Sequence, residues 1–592
     1  MTANDSIPKY YNTFGFGTNM GWNPPWSDEQ LADLAAGNPE VGIDGIGANC
    51  MRPALFEFFL ENWSYDIRVP AFEHYKSLGM RDHTAFIGYP AEWHRDLNFY
   101  CDDRQSNVFR NLYEPIWDDG SDGTPINEEN FYANYLYKMV PLYKDYITFW
   151  EIWNEPDFDH GGNAWKPRGL DGNWWENDPP PCETALSAPF YNYIRMLRIS
   201  YEVIKSIDPD AMICTGGLGY TSFLDAIMRN TDNPDSGKVS IDYPLKGGAY
   251  FDVLSYHAYP HLEGMRTWSN EIFNFVYDRH SDKAVELMIE KKREFAHMLF
   301  EYGYNGVIYP QKFFINTECN IPRKGFNDNI GSDEAQRNFN IKALVAAQKE
   351  GLLQYHIYNL AEATNPVYTH AEFNFMGLYK QIRETEPYTY SYTQGGVAYK
   401  TCISFLKDHY YDYPNSTFID TIPEVDGGVF RDGSGNKVLV LWAKTHQDLI
   451  ENPKFRFKIP EEHFEEDLVY HRWDHCLTTR DYKINAPTIE LTGAPIFITK
   501  KEQPNSAYSI NDELIFTANP NPFMDVLNIQ FMDKSLNEKQ INIFDSTGKM
   551  VHQISKTTDD FLEIQLNHLS TGVYYVQVMV DDNSYIKKVV KF

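Results

Sequence analysis

Positive charge, paired cysteines and long apolar runs are all scarce in this sequence of 592 residues. Lys and Arg number 52 against 83 Asp and Glu, which makes the formal net charge −31. That excess leaves no global electrostatic pull towards DNA, RNA or an anionic membrane. The seven cysteines, Cys50, Cys101, Cys182, Cys214, Cys319, Cys402 and Cys476, are scattered, odd in number and without a CxxC pair. They spell neither a zinc-ligand spacing nor a disulfide framework, although a single bridge is left open. No apolar run approaches the roughly 20 residues of a membrane span, so no membrane insertion is expected. The opening Met1-Thr2-Ala3-Asn4-Asp5 has neither the basic nor the apolar region of a secretory signal.

Aromatic side chains, by contrast, are abundant: 41 Tyr, 38 Phe and 13 Trp make up 16% of the chain, within a 43% apolar total. This composition excludes a disordered acidic tail. The length fits one large domain with one or two smaller ones. A domain of that size needs no disulfide or metal to fold.

Residues 10–397 alternate short apolar runs with amphipathic segments. The runs are Phe14–Thr18, Ala48–Pro53, His83–Gly88, Ile147–Trp153, Ala211–Gly216, Val253–His257, Lys312–Thr317 and Gln354–Tyr358. Helical patterns such as Tyr191–Ile207 and Asp282–Gly303 lie between several of them. Eight strand–helix repeats predict an α/β fold, a (β/α)8 TIM barrel, although a doubly wound sheet gives a similar local pattern. Residues 398–501 turn to short β-patterned runs and predict an accessory antiparallel β-sandwich domain. The polar stretch 502–511 reads as a linker, and 512–592 as a second, compact β-sandwich.

Two strand ends carry the chemistry. Phe149-Trp150-Glu151-Ile152-Trp153-Asn154-Glu155-Pro156 runs an apolar strand into Asn-Glu-Pro, and Lys312-Phe313-Phe314-Ile315-Asn316-Thr317-Glu318-Cys319 delivers another carboxylate. These are the fourth and seventh predicted strands. In a barrel their C-terminal ends aim Glu155 and Glu318 at one point, the pair that glycoside hydrolysis uses. Glu151, inside the strand, is expected to face a helix or a salt bridge.

These motifs resemble the clan A retaining glycoside hydrolases, and most nearly glycoside hydrolase family 39, over residues 10–500. The resemblance implies Glu155 as general acid then base, with a raised pKa, and Glu318 as an ionised nucleophile. It implies a carboxylate spacing of about 5–5.5 Å and hydrolysis with retention. Arg52, ending the second strand, would lie beside the nucleophile. Ser255-Tyr256-His257-Ala258-Tyr259-Pro260 matches the His-x-Tyr of related families, making Tyr256, His257 and Tyr259 candidate site residues. Asn154 is a candidate for the substrate 2-hydroxyl, and Asn359 for the pocket rim. Trp22, Trp93 and Trp174 are candidate sugar platforms. Each has a plainer reading: a structural ion pair for Arg52, a core imidazole for His257, a loop plug for each Trp. Cys319 departs from the Trp that family 39 often has after the nucleophile. No metal and no cofactor is required. The substrate implied is a polysaccharide or its oligosaccharides. A β-xylosidase-like activity is the family analogy, an algal galactan the second class, and a non-catalytic surface carbohydrate-binding protein the alternative function.

The C-terminal segment carries its own resemblance. Asn519-Pro520-Asn521-Pro522-Phe523, Leu527-Asn528-Ile529, Ile543-Phe544-Asp545-Ser546-Thr547-Gly548-Lys549, Leu569-Ser570-Thr571-Gly572-Val573-Tyr574 and Lys587-Lys588-Val589-Val590-Lys591 together resemble a type IX secretion sorting domain. That implies a partner in the type IX secretion machinery of a Bacteroidetes-type bacterium, and a secreted or cell-surface protein. Export also needs an N-terminal signal, so the expectation is a chain that begins after its signal was removed.

Overall fold

The computed structural model describes residues 1–501 apart from 102, 122, 178, 327, 363–371, 384 and 465–466, and residues 516–591 apart from 520–522, 532–538, 547–548 and 581–582. The predicted linker 502–511, the motif residues 520–522 and 547–548, and the acidic residues 102 and 465–466 lie outside the described residues. The chain divides into two compact units, Met1–Lys500 and Lys501–Phe592.

The first unit is built on a parallel sheet. Its spatial order is Cys50–Met51, Gly15–Thr18, Gln354–Ile357, Phe313–Cys319, Val253–Ala258, Met212–Cys214, Ile147–Ile152, His83–Gly88 and Ala54–Phe56. The outermost two segments are halves of one stretch of chain, interrupted at Arg52-Pro53, where the proline has no N–H to give a ladder. One half pairs with Gly17–Thr18 and the other with Phe86–Gly88, so the sheet closes on itself. This is the (β/α)8 barrel; a doubly wound sheet would keep two free edges. Helices such as Tyr191–Ile207, Ser281–Glu301 and Asp333–Lys349 surround it.

Strand alternation sorts the side chains. Phe149, Met212, Cys214, Val253 and Ile315 form a small apolar cluster of their own inside the barrel. Further along the same strands, on the same side, come Glu151, Ser255, His257 and Thr317, all buried. The interior is therefore apolar at its base and polar towards the C-terminal ends of the strands. The alternate residues Trp150, Ile152, Ile213, Leu254 and Tyr256 join the large cluster under the helices.

The boundary expected at residue 397 falls within helix Gln394–Leu406, which packs along Asp333–Lys349. Beyond it a six-stranded antiparallel sheet and the paired strands Lys454–Lys458 and Thr488–Thr492 enclose a second core. Strand Lys437–Ala443 shows how the sheet serves two cores. Leu439, Leu441 and Ala443 face the sandwich, while Val438, Val440 and Trp442 join the barrel cluster. Polar bolts add to this apolar contact. Glu451 accepts from Ser281 N–H (2.7 Å), Ser281 Oγ (2.6 Å) and Asn338 Nδ2 (2.9 Å) on two barrel helices. Asp282 accepts from Trp442 Nε1 (2.9 Å) and from the buried Lys342 (2.9 Å).

The second unit is a sandwich of three-stranded and four-stranded antiparallel sheets around Leu527, Ile529, Ile541, Ile543, Val576 and Val578. Strands Phe516–Asn519 and Met550–Thr557 belong to it as well, and sequence patterning did not single them out.

Because Glu451 is buried and holds three donors, Glu451→Ala is expected to cost roughly 1–3 kcal/mol per donor left unsatisfied, moderated by any water that enters. Calorimetry of the variant should show a lower unfolding temperature. An unchanged midpoint would mean that the apolar face alone joins sheet and barrel.

Candidate active site

The polar end of the barrel is organised by a single guanidinium. Arg52 leaves the barrel wall just before Pro53 and is buried. Its Nε donates to Glu151 Oε2 (2.6 Å), Nη1 to Glu318 Oε1 (2.5 Å) and Asn19 Oδ1 (3.2 Å), and Nη2 to Asn154 Oδ1 (2.7 Å). The guanidinium also lies over the Phe86 ring, 4.3 Å from its centroid. Glu151 is thus in a salt bridge, as expected, but it points into the barrel and not towards a helix. Ser255 Oγ (2.6 Å) and Thr317 Oγ1 (2.7 Å) donate to its other oxygen.

Two local distortions aim the carboxylates. In Phe313–Cys319 the pairing with Val253–Ala258 shifts register between Asn316 and Glu318. Regular alternation would send Thr317 inward and Glu318 outward; the bulge lets both face the site. Cys319 then returns to the outer core, buried, its thiol pushed up to about 12 by burial. The departure from the family's Trp therefore faces the helices. On the other strand Trp153 (φ 73°) and Glu155 (φ 48°) are both left-handed. That turn stacks Trp153 on Tyr89 (centroids 4.3 Å apart) and lets Glu155 N–H donate to Gly216 O (2.6 Å).

His257 bridges the two acids. Its Nδ1 is 2.8 Å from Glu155 Oε1 and 3.8 Å from Glu318 Oε2, and its Nε2 is 3.1 Å from Thr317 Oγ1. Tyr259 donates to Glu318 Oε2 (2.5 Å). One oxygen of each acid and a ring nitrogen of His257 all lie within 4.8 Å of one another. The side chain of Glu318 is the deeper, 12% exposed against 32% for Glu155.

The electrostatics of Glu155 differ from expectation. Burial pushes its carboxyl up, but the hydrogen bond and charge of His257, with Arg52 beyond, outweigh burial and leave it lowered. Burial lowers His257 in turn, and the charges of Glu318 and Glu155 more than reverse this, raising it. The raised pKa expected of Glu155 from partial burial and a nearby carboxylate is not found, because the imidazole of His257 lowers it more than these raise it.

The structure gathers Asn154, Arg52, His257, Tyr259, Glu155 and Glu318 into one site. A cavity of about 460 Å³ beside them is lined by Trp22, Arg52, Phe86, Asn154, Glu318 and Asn359, among others. Arg52 holds Asn154 by its oxygen, which leaves the amide NH2 for a ligand. The Asn359 side-chain oxygen is buried without a protein partner. Trp22 is 78% exposed at the cavity wall.

Three candidates lie elsewhere. Tyr256 alternates outward and packs on Phe295 of the surrounding helix. Trp174 is a buried loop plug against Phe223 (4.7 Å) and Phe190 (6.3 Å). Trp93 is half exposed on a short helical turn, its ring edge-on to His94, and is not part of the cavity lining. Sequence reasoning missed Asn19, Phe86, Ser255 and Thr317. It also missed Asp157, which accepts from Gly219 and Tyr220 N–H (2.8 Å each) and is pushed up to about 7 by burial. One signal was available: a carboxylate inside an apolar strand, Glu151, must find a cation, and the second strand offers Arg52.

Residues 517–591 match the family of the secretion system C-terminal sorting domain. The sorting domain coincides with the second compact unit. No curated protein matches the sequence. Among solved structures the chain is similar to a family 39 glycoside hydrolase from Bacteroides cellulosilyticus WH2 (14% identity, 84% of this chain and 83% of that one, TM-score 0.49). It is also similar to the catalytic domain of the GH30 xylanase C from Talaromyces cellulolyticus (12%, 85% and 99%, 0.44) and to a glucosidase from Croceicoccus marinus (11%, 98% and 98%, 0.41). These neighbours are glycoside hydrolases. At such identities and scores, substrate and mechanism have to come from the side chains themselves.

Gly217 has φ 66°, and a Cβ there would sit 2.2 Å from His257 Nε2. Gly217→Ala therefore combines a disfavoured backbone with a clash and is expected to cost more than about 1 kcal/mol. A crystal structure of the variant should show the imidazole displaced from Glu155. A ring that stays in place would refute this close packing.

Proposed function

We propose that the protein is an exported retaining glycoside hydrolase that cleaves a polysaccharide or its oligosaccharides by double displacement. The observation that carries this is the closeness of Glu155 and Glu318. Acids whose oxygens approach within 4.8 Å resemble the roughly 5–5.5 Å arrangement of retaining enzymes, not the roughly 6.5–9.5 Å that an inverting water needs.

In the first step Glu318 attacks the anomeric carbon while Glu155 gives its proton to the departing glycosidic oxygen. An ester forms between Glu318 and the sugar, and the aglycone leaves as an alcohol. In the second step Glu155, now a carboxylate, takes a proton from water. The hydroxide oxygen attacks the anomeric carbon and the Glu318 ester breaks, giving net retention. Arg52 and Tyr259 donate hydrogen bonds that hold Glu318 in place for the attack. In the resting site Glu155 Oε1 lies 2.8 Å from His257 Nδ1, a contact along which a proton can pass to it. Forming the ester removes one negative charge from beside Glu155, which lowers its proton affinity for the second step. Asn154 offers its amide NH2 to the 2-hydroxyl, and Trp22 offers a ring face to a sugar. The sorting domain supports export through a type IX machinery.

Glu155→Gln is expected to lower kcat/KM on a cleaved glycan by about 10²–10⁴, the usual contribution of a general acid. Glu318→Ala should abolish hydrolysis, and azide should restore turnover by forming a glycosyl azide of inverted configuration. A plant and algal glycan panel, with products resolved in time, identifies the substrate. Hydrolysis that survives both substitutions would sink the assignment of these two acids, while binding without hydrolysis across the panel would favour a carbohydrate-binding protein.

His257 is the neighbour that holds Glu155 low, so its removal raises the Glu155 pKa. Protonated acid then persists to higher pH. In His257→Gln the basic limb of the kcat/KM profile is expected to move upward, with a lower maximum. A basic limb that does not move would show that His257 has no part in tuning Glu155.

A further inference from the structure

A second cluster of chemistry-bearing side chains lies in the accessory domain. The segment between strands Leu468–His471 and Tyr482–Lys483 folds over barrel helix Gln394–Leu406. Cys476 N–H donates to Thr401 Oγ1 on that helix (3.2 Å). Phe405, from the same helix, packs on the rings of His471 (4.7 Å) and His475 (5.3 Å). The two imidazoles meet at 4.4 Å and 67°. Asp481 closes the group: its Oδ1 is 3.0 Å from His471 Nδ1 and 4.0 Å from His475 Nδ1, a nitrogen that also lies 3.2 Å from Arg480 O and so leaves Nε2 as the free ring nitrogen of His475. One ligand atom from each of the three lies within 4.8 Å of the others.

His471 supplies an independent pointer to a ligand. The residue is 5% exposed, and its Nε2 is engaged with Thr499 Oγ1 at 2.9 Å. Its Nδ1 is buried and makes no well-formed hydrogen bond, in spite of the carboxylate 3.0 Å away. A short contact without hydrogen-bond geometry is how two ligand atoms of one ion stand to each other. The Thr499 contact in turn is the outer hydrogen bond that fixes the tautomer of a metal-binding histidine. The side chains of His475 (21%) and Asp481 (47%) keep the cluster open to solvent, so an ion can enter and a water can complete its shell.

We propose that His471, His475 and Asp481 form a binding site for a divalent transition-metal ion, zinc by the character of its donors, which fastens together the accessory segment 471–481 that packs on helix Gln394–Leu406. Two imidazole nitrogens and one carboxylate suit zinc, which takes such ligands with water in a tetrahedral shell. Calcium and magnesium favour shells of oxygen. In two other groups of comparable composition the carboxylates themselves are taken by hydrogen bonds. Glu57 accepts from Ala91 N–H and contacts His94, with Glu61 taken by Tyr65. The Glu155–His257–Glu318 group is held by Arg52 and Tyr259. The site lies on the face of the accessory sheet that meets the barrel, so the ion would act on stability and not on the reaction.

The test uses the full chain, stripped with EDTA, dialysed metal-free and titrated with zinc chloride by calorimetry. One equivalent is expected to bind saturably. Zinc should raise the unfolding temperature, because it binds only the folded chain, and magnesium should leave it unchanged. His475→Gln and Asp481→Asn change partly exposed groups and should fold; each should weaken zinc by at least about tenfold, and Thr499→Val by about 10–100-fold as an outer-shell change. Three results would overturn the proposal: no saturable zinc binding, unchanged affinity in both His475→Gln and Asp481→Asn, or loss of binding in Glu318→Gln alone, which would place the ion in the catalytic site.

Discussion

The buried guanidinium of Arg52 is the constraint around which the barrel's polar end is arranged. It pairs at once with Glu151 below and Glu318 at the rim. Removing one partner of a buried ion pair costs about 3–5 kcal/mol, whereas replacing the whole set by apolar side chains is often neutral. Such a network is thus poorly explained by stability and well explained by orientation. It fixes Glu318 and Asn154 through one rigid planar group, and Glu151 supplies the second negative charge that holds that group down in the barrel. Ser255 and Thr317 satisfy what remains of Glu151, and Thr317 passes the order on to His257.

The backbone departs from regular geometry where this arrangement requires it. A bulge turns Glu318 inward, two left-handed residues turn Asn154 and Glu155 across the rim, and a glycine at 217 makes room for the imidazole. Left-handed non-glycine residues and bulges cost energy that regular strands avoid, and they persist where the surroundings over-determine them. Here those surroundings are the Trp153–Tyr89 stack and the Gly216 carbonyl on one side, and the hydrogen bonds of Thr317 on the other.

The accessory sheet extends the same logic to the scale of the whole first unit. One strand feeds two cores by alternation, so sheet and barrel share buried surface instead of meeting across a wet interface. Glu451 then fixes the register of that contact by accepting from helices Ser281–Glu301 and Asp333–Lys349, and Asp282 on the first of these accepts from Trp442 of the sheet. The sorting domain is a separate unit with a core of its own.

The eight barrel strands and the two acids at the ends of the fourth and seventh were legible in the sequence, because short apolar runs and a strand-ending Asn-Glu-Pro are local properties. The sorting domain was legible for the same reason, as a run of short motifs in fixed order. Contacts between strands were not. Whether Tyr256 or His257 faces the site turns on the parity of one strand, and whether Thr317 and Glu318 can both face it turns on a bulge that no composition announces. Trp174 and Trp22 look alike as loop tryptophans. Only packing makes one a plug against Phe223 and leaves the other on the cavity wall. The sequence by itself determined which groups arrive at the rim. Tertiary structure decided their charges, since the lowered carboxyl of Glu155 and the raised imidazole of His257 exist only because distant strands place them 2.8 Å apart.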